Sequence, residues 1–400
     1  MKNIILVTEY MLCGGVEKSL LSFLNYLDSK KYKVTLLLLK KEGILLSQIP
    51  SYVDVIEMDL PKDEKYDILY GKTNALKRTF KEGKYILFLK KMYRGIYLSL
   101  ISKSDEQKRA NYYKMIDKKF STLPNQYDVA IDYMGYGLLN TFFVAKKIKA
   151  KKKYSWIHFD LTVGMDDFCA FKNYLNYYDK LICVSNEVRG QMLNIMPELT
   201  NKLCVFYNIV DKESLLKEAE KGKTYDNFNN IRILSIGRVD PQKGYDIALF
   251  VIKQLVEEKY DIHWYIIGEG PQRKELEILI ETTHMGNHIT LLGQQTNPYK
   301  YLQDCDIYFQ PSRHEGYGIA LAEARVFCKP IVATDFAGAK EQIKNNETGL
   351  IVKCNEIELY KGLKILLDNP KLRDKFINNL KKEYKSIDMI KQQVNDLLEG

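Results

Sequence analysis

Two acidic side chains stand at a fixed spacing in the segment PSRHEGYGIALAEARVFCKPIVATD. Glu315 and Glu323 are eight positions apart, with Gly316 and Gly318 between them. If residues 316–323 are helical, a rise of about 1.5 Å per residue separates the two carboxylates by about 12 Å. This is roughly the reach of a nucleotide-sugar from its sugar ring to its ribose, so the spacing predicts such a ligand. A first-turn acid favoured by the helix dipole, followed by a solvated acid, would produce the same pattern.

The backbone between these acids can also bind an anion. The amides of Gly316, Tyr317, Gly318 and Ile319 lie at the expected start of the helix. Free N–H groups at a helix N-terminus bind phosphate, and glycine lets a ligand approach the backbone closely. We therefore expect a diphosphate to lie between the two carboxylates.

A second segment, GRVDPQKG at 237–244, supplies cations. Arg238 follows a buried strand, and Lys243 precedes a helix. In a parallel sheet both would lie at the carboxyl edge, where ligands bind. A guanidinium beside an ammonium suits a diphosphate. Two solvated surface cations are the alternative.

A third segment, EYMLCGGVEKS, places Gly14 and Gly15 at a strand-to-helix turn. Such a turn can bring a helix N-terminus close to a phosphate, although many Gly-Gly turns are purely structural. The fingerprint Gly-x-Gly-x-x-Gly is absent here and in GEGPQR at 268–273, where Arg273 replaces the third glycine. A nicotinamide dinucleotide is therefore not expected.

Two successive series of strands and helices must position these segments. A strand at Ile4–Val7, a helix at Val16–Leu27 and a strand at Lys33–Leu39 open the first series, and IRILSIGRVD opens the second. This alternation indicates parallel α/β sheets, and 400 residues exceed what one core usually supports. We predict two Rossmann-like domains, residues 1–207 with a basic insertion at about 62–125, and residues 208–383. From Asn369 the sequence predicts a charged amphipathic helix to the end.

The composition is that of an ordinary globular protein, with 46% hydrophobic and 28% charged residues. We find no secretory leader and no apolar run of about 18 residues that could span a membrane. The seven cysteines are scattered without a Cys-x-x-Cys pair, which suits a reducing compartment and argues against zinc. These features predict a cytoplasmic protein.

The motifs together resemble family four of the retaining glycosyltransferases. The resemblance rests on HEGYGIALAEA, the GRVDPQKG loop, the YIIGEGP turn, the N-terminal GGVEKS and the VFYNIVD hinge, and residues 62–125 match no family motif. It implies the GT-B fold, an α/β architecture in which two Rossmann-like domains face each other across a cleft. It also implies that a C-terminal helix, residues 384–400, returns to the first domain.

The resemblance further implies a transfer reaction. A hexose-type sugar would move from a nucleotide-diphosphate donor, with UDP favoured, to a glycan or lipid-linked glycan in surface polysaccharide synthesis, with retained anomeric configuration. Arg238 and Lys243 would bind the diphosphate, Glu323 the ribose and Glu315 the sugar, while His158 in YSWIHFD matches an active-site histidine. The implied catalytic residues are Arg238, Lys243, Glu315 and His158, and the implied donor-binding residues are Gly14, Gly15, Arg238, Lys243, Glu315, Gly316, Tyr317, Gly318, Ile319 and Glu323.

Neither a cofactor nor a metal is expected. In the family the leaving phosphate oxygen takes the acceptor proton, so the protein needs no dedicated base. Asp304 and Asp306 form an Asp-x-Asp between an expected helix and strand, which favours a capping role. His284 and His288 lie on either side of Gly286 without a cysteine nearby in the sequence, and a zinc site is not predicted.

The segment from Tyr70 to Phe120 is strongly basic, with 14 Lys and Arg against four acids. Within it a helix is predicted that has an apolar stripe on one side and cations mostly on the other. The helix either packs its stripe on the first domain with its cations in water, or rests on an anionic inner membrane leaflet. The stripe comprises Ile86, Leu89, Tyr93, Ile96 and Leu100, and the cations are Lys84, Lys90, Lys91 and Arg94.

Two other functions remain open from the residues alone. A nucleotide-sugar epimerase or hydrolase of related double-Rossmann fold would consume the donor without an acceptor. A nucleic-acid-binding protein would use the basic segment, but its charge forms one inserted patch without regularly spaced aromatic side chains. Nucleic acid is therefore not an expected partner.

Overall fold

A computed structural model of the chain describes residues 1–135, 137–162, 167–221, 224–225, 228, 230–383 and 387–399. Two parallel sheets form its framework. The first has seven strands in the order β3-β2-β1-β4-β5-β6-β7, and the second has six in the order β10-β9-β8-β11-β12-β13. All pairings within them are parallel. The prediction of two α/β Rossmann-like domains is confirmed.

The strands are short, as expected for buried strands of parallel sheets. Their bounds are β1 Lys2–Thr8, β2 Tyr32–Leu38, β3 Val53–Glu57, β4 Gln126–Asp132, β5 Lys149–Ile157, β6 Lys180–Cys183, β7 Leu203–Val205, β8 Ile231–Ile236, β9 Ile262–Ile267, β10 Ile289–Gly293, β11 Ile307–Gln310, β12 Ile331–Thr334 and β13 Leu350–Val352.

Helices cover both faces of the sheets. Their bounds are α1 Gly15–Tyr26, α2 Lys65–Tyr70, α3 Lys72–Lys81, α4 Tyr85–Ile101, α5 Asp105–Ile116, α6 Leu139–Lys147, α7 Lys172–Leu175, α8 Asn186–Ile195, α9 Lys212–Lys221, α10 Tyr245–Glu257, α11 Arg273–Thr282, α12 Tyr299–Asp304, α13 Ile319–Val326, α14 Ala339–Gln342, α15 Glu356–Asp368, α16 Pro370–Lys382 and α17 Ile387–Glu399. Short 3₁₀ helices occupy 44–48, 117–119, 168–171, 197–202 and 241–243.

Hydrophobic packing divides the protein as the sheets do. Strands β1, β2 and β4 are buried on both faces in the core of the first domain, and a separate core surrounds β8 and β9. The first sheet ends at Val205 and the second begins at Ile231. The boundary between 207 and 208 stays a prediction.

The chain returns to the first domain at its C-terminal helix. Val394, Leu397 and Leu398 of α17 are buried in the first-domain core, and Tyr32 donates a hydrogen bond to Asn395 at 3.1 Å. The predicted return of this helix is confirmed. The prediction of one helix from Asn369 is wrong, because α16 ends at Lys382 and α17 starts at Ile387; residues 384–386 and Gly400 lie outside the described residues.

The basic insertion has an unexpected orientation. Lys91 of α4 is buried and forms an ion pair with Asp67 of α2, and Arg94 donates two hydrogen bonds to Glu64 at 2.8 Å. The apolar stripe, in contrast, faces outward. The prediction that the stripe packs on the first domain is therefore wrong. The prediction that the cations face a membrane is wrong for Lys91 and Arg94, because both pair with acids of the protein.

Candidate active site

A cavity of about 1040 Å³ lies between the two domains. The loop after β1 and the start of α1 line it from the first domain, and the loops after β8, β9 and β11 line it from the second. These loops follow the carboxyl ends of parallel strands, which is where α/β sheets bind ligands. All the predicted site residues except Gly316 line this cavity.

The loop before α1 supplies one wall. Gly14 is the residue before the helix, and Gly15 begins it. A methyl group added at Gly15 would lie 3.3 Å from Ile319 Cδ1 of the other domain. The absence of a side chain at this position thus lets the two domains approach each other beside the N-terminus of α1.

The two predicted cations of the cavity differ in their exposure to solvent. The side chain of Arg238 is 71% exposed and lies 3.8 Å from Asp240, so its guanidinium is free to contact a ligand. The side chain of Lys243 is mostly buried, and its ammonium forms a close ion pair with Glu315. Lys243 is therefore neutralised by one of the predicted donor-binding acids in this structure.

Glu315 lies in a polar pocket that fixes its carboxylate. Besides Lys243, it accepts hydrogen bonds from Gln310 at 3.1 Å and Ser312 at 3.2 Å. Both side chains belong to the end of β11 and the loop after it. The carboxylate thus already has hydrogen-bond partners of the type that sugar hydroxyls would supply.

The predicted helix over 316–323 is wrong at its start. Helix α13 begins at Ile319, and Gly318 before it has a left-handed φ of 82°. This conformation favours glycine, because a side chain there would be strained. Glu315 therefore lies in a loop, and only Glu323 lies on the helix, so the distance estimate based on eight helical residues does not apply.

Gly316 has a different position from the one predicted. Its backbone oxygen accepts a hydrogen bond from Ser185 of the first domain, and a methyl group on it would lie 2.2 Å from the His158 oxygen. The glycine permits contact between the two domains. Its expected role in approaching the phosphates receives no support from this position.

Glu323 takes part in an ion pair that the sequence did not reveal. The residue is 3% exposed, and its carboxylate lies 3.4 Å from the ammonium of Lys18 on α1 and accepts a hydrogen bond from Tyr299 at 3.2 Å. Burial alone would lower the pKa of Lys18, but the charge of Glu323, together with Tyr299 and Cys13, outweighs burial and raises that pKa. Lys18 stands in the quoted GGVEKS motif, yet only the fold brings it to Glu323.

His158 lies where β5 ends, beside the cavity. Its ring is stacked parallel to Trp156, and its nitrogens are buried without a hydrogen-bond partner of good geometry in the described part of the chain. Burial lowers its pKa to about 3, an effect that contact with the Tyr133 backbone offsets only in part. The imidazole is therefore neutral at physiological pH.

Direct hydrogen bonds hold the two domains together beside the cavity. Glu341 of the second domain accepts hydrogen bonds from the backbone amides of Asn186 and Glu187 at the start of α8. Asn208, in the connection between the domains, accepts one from Ser19 of α1 at 2.7 Å. Glu341 thus joins the second domain directly to the first, and Asn208 joins the connection to α1.

The residues considered for metal binding have structural contacts. Asp304 ends α12 and forms an ion pair with Lys300, and Asp306 accepts a hydrogen bond from the Arg232 backbone amide at 2.8 Å. Within the described ranges, no group of three His, Cys, Asp or Glu side chains could hold a metal ion.

Comparison with known proteins identifies the second domain. The family model described as glycosyl transferases group 1 matches residues 217–383. These residues form a group 1 glycosyltransferase domain. The match includes β8, β11 and α13, and therefore Arg238, Lys243, Glu315 and Glu323.

Curated relatives of this glycosyltransferase domain act on different acceptors. One, from Campylobacter jejuni, is 35% identical over 220 residues, covers 54% of this chain and 58% of its own, and is named N-acetylgalactosamine-N,N'-diacetylbacillosaminyl-diphospho-undecaprenol 4-alpha-N-acetylgalactosaminyltransferase. Another, a poly(ribitol-phosphate) alpha-N-acetylglucosaminyltransferase from Staphylococcus aureus, is 26% identical and covers 52% of this chain and 42% of its own. The chain spans about half the length of the curated relatives it matches.

Solved structures establish the fold around the glycosyltransferase domain. Alr3699/HepE of Anabaena in complex with UDP-glucose superposes with a TM-score of 0.69 at 15% identity over 100% of both chains. TarM of S. aureus, in a complex that contains UDP, gives 0.67 at 15% identity over 100% of both chains. The predicted GT-B fold is confirmed.

Proposed function

We propose that this protein transfers a hexose-type sugar from a UDP-sugar to an acceptor hydroxyl with retention of the anomeric configuration. One observation carries the proposal. Arg238, Lys243, Glu315 and Glu323 of the glycosyltransferase domain line a single interdomain cavity together with the N-terminus of α13. Its volume of about 1040 Å³ is at the upper end of the range for ligand sites, about 300–1,000 Å³.

Donor binding would break the existing ion pair between Lys243 and Glu315 and give each residue a new partner. When the diphosphate enters, the ammonium of Lys243 would turn from Glu315 to a phosphate oxygen, and Glu315 would accept hydrogen bonds from the sugar. The ribose would contact Glu323 beside Lys18. Arg238, which is mostly exposed, can reach the diphosphate without breaking a close ion pair.

Preorganised charge would then support the chemical step. The bond between the anomeric carbon and the diphosphate oxygen breaks, and the acceptor oxygen forms its bond on the same face of the sugar. The departing phosphate oxygen takes the acceptor's proton, so the protein supplies no nucleophile or base. Arg238, Lys243 and the amides at the start of α13 stabilise the negative charge that grows on the diphosphate.

His158 fits this reaction as a neutral contact. Because its pKa is lowered to about 3, its imidazole does not compete with Arg238 and Lys243 for the diphosphate as a cation. A neutral ring can donate or accept one hydrogen bond with the donor sugar. We propose this contact as its role.

We propose a lipid-linked glycan as acceptor, in surface polysaccharide or glycan synthesis on the cytoplasmic side of the cell membrane. The name of one relative supports this acceptor. The C. jejuni relative is named for a substrate carried on diphospho-undecaprenol. Of the helices in the described part of the chain, none is long and apolar enough to cross a bilayer.

A panel of nucleotide-sugars tests the donor. The correct donor at 100 times its dissociation constant should stabilise the folded protein by about 2.7 kcal/mol, measured by thermal unfolding. Product NMR should then show the donor's anomeric configuration retained, and activity should persist in saturating chelator. An inverted product, consumption of donor without acceptor, or a loss of activity that manganese restores would each contradict the corresponding part of the proposal.

A further inference from the structure

Helix α4 presents an unpartnered apolar surface on the first domain. Nine of its large side chains are exposed, among them Ile86 at 74%, Tyr93 at 70% and Leu100 at 80%. With about 3.6 residues per turn, these nine occupy one half of the helix. Monomeric proteins rarely expose contiguous apolar patches of more than a few hundred Å² without a binding role. We define the outer face of α4 by these nine residues: Tyr85, Ile86, Leu89, Met92, Tyr93, Ile96, Tyr97, Leu100 and Ile101.

The opposite side of α4 explains why this face points outward. Lys91 pairs with Asp67, and Arg94 pairs with both Asp67 and Glu64. Glu64 also accepts hydrogen bonds from Tyr112 and Lys119. Turning the helix over would leave these buried acids without their cations, which is strongly unfavourable. The ion pairs therefore hold the apolar face in water.

The unpaired charges around the outer face are mostly positive. Lys90 lies on this half of the helix, Lys81 ends the preceding helix α3, and Lys103 lies two residues after the end of α4. All three are exposed, and the described residues give none of them an ion pair. Two nearby acids already have cationic partners. Glu82 pairs with Arg78 and Lys84, and Asp105 pairs with Lys108.

We propose that the outer face of α4 inserts into the interface of an anionic phospholipid bilayer, an inference that rests on the proposed lipid-linked acceptor. Apolar helix faces of this kind enter a bilayer by about 5–10 Å, with tyrosines at the level of the headgroups. The three unpaired lysines complement anionic headgroups. The exposed acid Asp63 borders this face beside Lys90 and Tyr93. A second copy of the chain would set three unpaired lysines against Asp63 and so leave an excess of positive charge, and a lipid surface therefore fits the face better.

Insertion of this face differs from a purely electrostatic attachment in the side chains that touch the membrane. Lys91 and Arg94 hold the helix in position, and the apolar side chains contact the lipid. Salt should therefore weaken binding only in part, because screening acts on the lysines and leaves apolar burial intact.

Sedimentation with vesicles tests the surface. The full chain should bind phosphatidylglycerol-containing vesicles and retain part of that binding at high salt. Replacing Leu89, Tyr93 and Ile96 by Ser should reduce binding at least tenfold at every salt concentration. Replacing Lys81, Lys90 and Lys103 by Gln should weaken binding at low salt by about fivefold per lysine.

A matched control uses exposed apolar residues of the other domain. Phe250, Ile278 and Ile365 are 41%, 60% and 45% exposed, and their triple replacement by Ser should leave vesicle binding unchanged. Tyr93→Trp adds a direct reporter, because the two native tryptophans, Trp156 and Trp264, are buried. Its fluorescence should shift to the blue on vesicles and be quenched by brominated lipid, whereas Phe250→Trp should show neither change.

Three results would overturn the inference. They are no binding to any anionic vesicle, binding that survives the Leu89, Tyr93 and Ile96 replacements, and self-association that those replacements abolish without changing vesicle binding. Thermal stabilisation by the UDP-sugar, measured on the same variants, separates this inference from the proposed function. Vesicle binding without donor binding would contradict only the transferase proposal, and donor binding without vesicle binding only the membrane surface.

Discussion

Two groups of ion pairs, one in the interdomain cavity and one in the basic insertion, have the same chemistry and different surroundings. In the cavity, Lys243 pairs with Glu315 beside open volume that a ligand can enter. In the insertion, Lys91 pairs with Asp67 where α4 packs against the preceding helices, and both side chains are almost fully buried. In the proposed reaction the first pair exchanges its partner for a diphosphate, whereas the second orients a helix.

This difference shows that the number of cations in a segment does not indicate whether the segment can bind an anionic ligand. Residues 70–120 have 14 Lys and Arg against four acids, a net charge of +10, whereas the whole chain has +9. The central cations of the insertion are nevertheless paired with internal acids. The cavity has few cations, but Arg238 is exposed there. Lys243 would have to break its ion pair with one carboxylate, that of Glu315, to contact a ligand. Whether a cation can bind a ligand therefore depends on what it already contacts.

The largest expected effect concerns the insertion. Glu64→Ala should lower the free energy of unfolding by about 4 kcal/mol, because it leaves Arg94 without its main carboxylate partner in a buried position. Urea denaturation followed by circular dichroism measures it. Glu82→Ala, which removes an exposed acid of the same insertion, is the control and should have no measurable effect. A loss of donor binding in folded Glu64→Ala would contradict the division between the two groups.

In the cavity the expected effect is on turnover. Arg238→Ala should lower kcat/KM by more than a hundredfold, or about 3 kcal/mol of transition-state stabilisation, with unchanged stability because the side chain is exposed. Lys243→Ala should lose similar activity and also some stability, since Glu315 is left without its cation. Lys253→Ala, on the outer side of α10, is the control. Rates of Arg238→Ala within threefold of wild type would contradict its assignment.

A smaller effect should separate the two acids of the cavity. Glu323→Ala should weaken binding of free UDP about tenfold, or about 1.4 kcal/mol, while Glu315→Ala should mainly impair transfer of the sugar. Isothermal titration with UDP and with the UDP-sugar measures both. Equal losses of UDP affinity in the two variants would show that the roles are assigned wrongly.

The smallest effect is a pH dependence of stability. Burial alone would raise the pKa of Glu64, but hydrogen bonds from Arg94 and Lys119 lower it to about 2. The stabilisation is therefore complete above the ordinary pKa of about 4.5 and is lost as the pH falls toward 2. The difference in unfolding free energy between wild type and Glu64→Gln should shrink over this range. A constant difference would contradict the ion-pair account.

Sequence patterns predicted the framework because buried strands and Gly-containing turns are local signals. Strands β1, β8 and β11 and the loops after them follow from short apolar runs and from glycine at the turns. The start of α13 did not follow, since residues 316–318 are compatible with a helix until Gly318 adopts a left-handed φ. The contact between Gly316 and His158 joins residues far apart in the chain, so the sequence could not reveal it. Without that contact, the sequence predicts that Gly316 approaches the phosphates.

Contacts between distant segments account for the remaining errors. Lys18 and Glu323 are 305 positions apart, and only the packing of α1 near α13 reveals their ion pair. The periodicity of α4 separated the apolar stripe from Lys91 and Arg94, but Lys90 lies on the apolar half of the helix. It could not show which side faces the protein, because that depends on Glu64 and Asp67 of a segment that carried no recognisable motif.

The return of α17 also orders events during synthesis of the chain. Val394 and Leu398 complete the core that begins with β1, and Lys2 donates a hydrogen bond to the Leu398 backbone oxygen at 3.4 Å. A ribosome makes these residues only after the whole second domain has been translated. The second domain can therefore fold while the first still lacks its last helix, and the wall of the cavity formed by α1 acquires its full support last.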